Sequence, residues 1–116
     1  WVWNFAVTAD RIFWTTDDAI QSCPKAATPC TPATFATGIG INGLHLDASN
    51  VYWLDRGALM RCPQAGCTSP ELVFQCQPDI ASVVGQQSYF LGGDEATLYC
   101  ANFRDGIGAS IVPIAK

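Results

Sequence analysis

At 116 residues the chain is the size of a single domain, spanning 1–116, and too short for a multidomain enzyme. Six Lys and Arg against ten Asp and Glu give a formal charge of -4 without any basic cluster. That balance argues against electrostatic binding to nucleic acid or to an anionic membrane surface. Hydrophobic residues make up 49% and charged residues only 14%, with ten Gly and seven Pro spread along the chain, the profile of an ordered domain rich in turns.

No apolar run approaches the roughly 18 residues of a membrane-spanning helix, so no membrane span is expected. The sequence starts at Trp1 without an initiator Met and reads as a mature, processed or excised piece. Six cysteines at this density point to an oxidising compartment, and the protein is expected to be secreted or displayed at a cell surface.

In chain order, Trp1 and Trp3 precede the first patterned segment. Phe5 and Val7 alternate as a strand, Ile12 to Trp14 form an aromatic second strand, and Asp17-Asp18 supply a turn. A third strand ends at Cys23, and a fourth covers Ala33 to Thr37. The succession restarts with Leu44 and Leu46, then Val51 to Trp53, the turn Asp55-Arg56-Gly57, a third strand ending at Cys62, and a fourth over Glu71 to Gln75. A third unit is read from Ala81 and Val83, with Tyr89 to Leu91 as its second strand, a turn at Gly92-Gly93-Asp94, and a third strand ending at Cys100. Its fourth strand is GASIVPIAK; alternatively Ser110 to Lys116, which resembles LMRCPQAG, is a delayed third strand and the Cys100 segment an insertion.

Trp14, Trp53 and Phe90 fall in the same place, with Cys23, Cys62 and Cys100 nine, nine and ten residues further on. A period near forty is the mark of a repeat architecture, and four short antiparallel strands per unit describe a β-propeller blade. The expected fold is all-β with about three blades, approximately 5–43, 44–80 and 81–116. A closed ring takes typically four to eight blades, so the units form part of a larger propeller or associate as a homo-oligomer.

The second unit, LHLDASNVYWLDRGALMRCP, resembles the YWTD-type repeat of low-density lipoprotein receptor β-propellers and related repeats of secreted bacterial proteins. Tyr52, Trp53 and Asp55 match three of the four motif positions, with Leu54 in place of Thr; the first unit keeps Phe13-Trp14-Thr15, and the third only the aromatic pair Tyr89-Phe90. The resemblance implies a structural, hydrogen-bonding role for Asp55.

Cys23 and Cys30 flank PKAATP at a hairpin end, and Cys62 and Cys67 flank PQAG, so these pair locally, leaving Cys76 for Cys100 by elimination. The spacings and the single histidine do not suit a metal centre, and no metal or cofactor is expected. His45 replaces small residues at the aligned positions and has no nucleophile motif beside it; it reads as a packed histidine or a ligand contact. Trp14 and Trp53 are expected in the core, and Trp1 and Trp3 against a ligand or a neighbouring blade.

These features support an exported, non-catalytic module that binds a protein or glycan ligand or acts as a scaffold. The alternatives are a propeller-type hydrolase or lyase, for which only His45, Asp47 and Asp55 offer themselves, and a self-assembling surface protein.

Overall fold

The computed structural model describes residues 4–26, 29–76, 86–104 and 108–116. Within them the protein is all-β, with eleven strands and no helix; no helix is therefore long and apolar enough to cross a membrane. Trp1, Trp3 and the segment holding Ala81 and Val83 lie outside the described residues.

Three antiparallel sheets follow one another along the chain. The first joins β1 (Phe5–Val7), β2 (Arg11–Thr15), β3 (Ala19–Pro24) and β4 (Ala33–Thr37) in chain order. The second joins β5 (Ile41–Leu46), β6 (Asn50–Asp55), β7 (Ala58–Pro63) and β8 (Glu71–Gln75) in the same way. The third contains β9 (Gln86–Gly93), β10 (Thr97–Arg104) and β11 (Gly108–Ala115), with β10 in the middle. The described residues do not close a ring.

Equivalence between the first two sheets follows from register. Ile12 stands opposite Cys23 and Val51 opposite Cys62; Thr15 pairs with Ile20 as Leu54 pairs with Leu59. Both units also contain one tight turn between their first and second strands. Thr8 N–H bonds Arg11 O at 2.9 Å, and Asp47 N–H bonds Asn50 O at 3.1 Å, while the Thr8 hydroxyl and the Asp47 carboxylate accept from the backbone of Arg11 and of Asn50. Short polar side chains that accept from the backbone two and three residues on are well suited to such turns.

The third sheet repeats this turn at an unexpected place. Asp94 N–H bonds Thr97 O at 2.9 Å, and its Oδ1 accepts from Ala96 and Thr97. Asp94 therefore corresponds to Asp47, 47 residues on, where Asp47 follows Thr8 by 39. The strand before the turn, β9, lies alongside β5, with Phe90 N–H donating to Asn42 Oδ1 at 3.2 Å. The sequence reading of Tyr89 to Leu91 as a second strand is thus corrected: the strand before this turn is β9, and among the described residues β9 comes first in its sheet, β10 second and β11 third.

Leu98-Tyr99-Cys100-Ala101-Asn102 then corresponds to Val51-Tyr52-Trp53-Leu54-Asp55, so Cys100 takes the position of Trp53, not of Cys62. It lies within β10 instead of ending a strand, because its neighbours continue the ladder to Arg104. Phe90 loses its place beside Trp14 and Trp53. It fits instead against Gly43, whose φ of +70° and lack of a side chain allow the approach; a Cβ there would sit 2.6 Å from the Phe90 Cβ.

Because β6 is covered on both faces, its alternation of side chains separates two cores. Val51 and Trp53 pack with Phe13, Ile20, Ala36 and Ile41 between the first and second sheets. Tyr52 and Leu54 pack with Leu59, Phe90, Leu98, Cys100 and Ile114 between the second and third. Trp53 is 1% exposed, whereas Trp14 on the outer face of the first sheet is only half-buried, correcting its expected place in the core.

Asp55 anchors the connection between the first two sheets: its Oδ1 accepts from Ile39 N–H at 3.0 Å. Three disulfides, Cys23–Cys30, Cys62–Cys67 and Cys76–Cys100, span Cα separations of 6.0, 5.3 and 6.2 Å. The first two each join the end of a third strand to the connection leading into the fourth, in the first and second sheets; the third ties the end of β8 to β10 across the second core.

Candidate functional site

One residue with a long side chain meets the turn of each unit through its backbone. Lys25, Gln64 and Lys116 each place their backbone N–H on the turn, bonding Asp10 O, Ser49 O and Ala96 O at 2.8, 2.9 and 3.0 Å. In the first sheet Lys25 Nζ donates to Thr8 O at 3.2 Å, and in the second Gln64 Nε2 donates to Asp47 O, so both side chains stay with their own turn. Lys116 leaves its own unit. Its ammonium reaches the second sheet, 3.2 Å from Asp47 Oδ2 and 3.3 Å from His45 Nε2, and stands 5.2 Å from the centre of the Tyr52 ring.

These contacts border a cleft of about 540 Å³ between the turn that starts at Asp47 and the turn that starts at Asp94. His45, Asp47, Ser49 and Asn50 line one side and Asp94 and Glu95 the other. His45 ends up here because β5 carries it opposite Tyr52 in the ladder. Its ring lies 5.8 Å from the Tyr52 ring and meets Phe90 edge-on at 6.5 Å.

Asp47 is the hub. Its Oδ1 accepts from Ser49 and Asn50 N–H at 2.9 and 2.7 Å, and its Oδ2 accepts from the Tyr52 hydroxyl at 2.9 Å as well as from Lys116. Burial alone would raise its pKa, but the two backbone donors, Tyr52 and Lys116 together hold it well below the usual carboxylate range. Burial and the bond to Asp47 push Tyr52 up. Burial, then the Lys116 charge, lower His45, outweighing the opposing pull of Asp47 and Asp94.

An ammonium can only donate, so His45 Nε2 accepts and the ring proton belongs on Nδ1. A general base needs a free lone pair facing the proton it takes, and here the accepting nitrogen is already engaged by Lys116. The cleft is furnished for hydrogen bonding, with a carboxylate rim, an imidazole, a hydroxyl and an amide. Among the described residues no three His, Cys, Asp or Glu side chains converge as metal ligands.

His45 and Asp47, both singled out in the sequence, come together in this cleft, while Asp55 lies in the connection between the first two sheets. Tyr52 joins them within the second sheet, and Lys116 and Asp94 join them across a sheet boundary that no local pattern announces. The spacing of Thr8 to Lys25 and Asp47 to Gln64, 17 residues in each case, does not extend to Asp94 and Lys116, which are 22 apart, so it gave no signal for Lys116.

No protein-family model matches the chain, and no curated protein matches it.

Proposed function

We propose that the protein is an exported, non-catalytic module of YWTD-like β-propeller repeats that binds a protein or glycan ligand in the cleft between the Asp47 and Asp94 turns. The observation that carries this reading is the recurrence of one turn in three successive sheets, with a cleft rich in hydrogen-bonding side chains between two of those turns. Loops held by a rigid sheet scaffold are where binding groups concentrate. Three disulfides suit an oxidising, extracytoplasmic setting. The propeller reading calls for further units, from a longer chain or from other copies, to complete a ring.

The test is a binding screen of the folded protein against glycans and extracellular protein segments, repeated with His45→Ala and with Asp94→Ala. A ligand held by the wild type and released at least tenfold faster by both variants supports the reading. Binding unaffected by either substitution overturns the site, and turnover of a glycosidic or ester substrate overturns the non-catalytic assignment.

A further inference from the structure

The corrected register shows that each sheet has two different faces. One is the face of Val51 and Trp53, continued on β5 by Leu44 and Leu46, which packs toward the preceding sheet. The other is the face of Tyr52, Leu54 and Leu59, which packs toward the following sheet. The same pairing occurs twice: Val51 and Trp53 meet Phe13 and Ile20, and Leu98 and Cys100 meet Tyr52 and Leu59.

Among the described residues the two ends of the stack each leave one face uncovered, the first sheet a face of the first kind and the third sheet a face of the second. On the first sheet Phe5, Val7, Ile12 and Trp14 stand where the second sheet has Leu44, Leu46, Val51 and Trp53. Phe5 is 72% and Val7 50% exposed. On the third sheet Ile111, opposite Ala101, stands where Leu59 stands opposite Leu54, and it is 57% exposed while Leu59 is fully buried.

We infer that a second copy of this chain docks head to tail, the Ile111 face of its third sheet covering the Phe5, Val7 and Trp14 face of the first. The contact continues the interface already made twice inside the molecule, between faces of the same two kinds. Such heterologous contacts close into rings or run on as open assemblies according to the rotation at each step, and stacked repeats leave apolar faces open at their ends until capped. The inference rests on the repeat-module reading but not on the ligand cleft, whose residues lie elsewhere.

Sedimentation or light scattering of the 116-residue chain over a hundredfold concentration range tests it, alongside Val7→Glu and Ile111→Glu. Both positions are exposed, and unchanged circular dichroism verifies that the variants fold. The expected result is association of the wild type, its loss in each variant alone, and recovery of a dimer and nothing larger when the two variants are mixed, since each then supplies the face the other lacks. A wild type that stays monomeric throughout overturns the inference, as does association that survives either substitution. Ligand binding at the cleft is read separately, so failure of one leaves the other measurable.

Discussion

The two interfaces between sheets do the same work with different chemistry. Between the first and second, Trp53 fills the centre of a dry aromatic and aliphatic core with Phe13, Phe35 and Ile20. Between the second and third, the position of Trp53 belongs to Cys100, and its disulfide to Cys76 crosses the gap beside a polar cluster of His45, Asp47, Tyr52 and Lys116. An indole holds two sheets by area and shape; a cystine holds them by restricting the unfolded chain and leaves room for titratable groups nearby. The interface that gave up its tryptophan is the one that opens into a cleft.

The largest expected effect breaks the dry side. Trp53→Ala should cost about 3–5 kcal/mol in denaturant-induced unfolding, from lost burial and the cavity left between two sheets. Paired replacement of Cys76 and Cys100 by Ala should cost about 3 kcal/mol, from the loop of 24 residues that it opens. Hydrogen exchange should then quicken in β9 to β11 and leave β1 to β4 unchanged; equal loosening of both halves would erase the distinction drawn here.

Acid should weaken the second interface. The His45 pKa is lowered by folding, so its contribution is full above its ordinary 6.5 and is lost as pH falls through the folded value. The Asp47 pKa is also lowered, so its contribution is present above about 4 and disappears at stronger acidity. Both shifts give falling stability with falling pH, His45 first. Asp47→Asn should cost about 1–2 kcal/mol at neutral pH and flatten the acid limb, measured by thermal unfolding across pH. The smallest effect tests a single sheet: Arg56, at φ 50° in the turn before Gly57, should tolerate Gly with a gain of about 0.5 kcal/mol and leave both interfaces alone.

Strand positions in the first two sheets were legible because alternation and turn residues act locally; β4 and β8 begin and end at the residues the pattern marked. The third register was not. Phe90 and Cys100 imitate the spacing of Trp53 and Cys62, while the true counterpart of VYWLD is LYCAN, with sulfur standing in for the indole. A disulfide and a tryptophan can fill the same position in a core, yet they share no feature that a sequence comparison weighs. His45 and Asp47 could be singled out from the chain alone, but Lys116 could not, since its equivalents Lys25 and Gln64 bond within their own units.

Every strand in the three sheets is bonded to a neighbour in the chain, and two disulfides close within seven residues or fewer. Strand pairing within each sheet therefore never has to wait for a distant segment, which keeps loop-closure costs small and nucleation local. A chain of this design can organise sheet by sheet as it emerges, each completed sheet serving as the template for the next, with Phe90, Cys100 and Lys116 reaching back to the sheet before them.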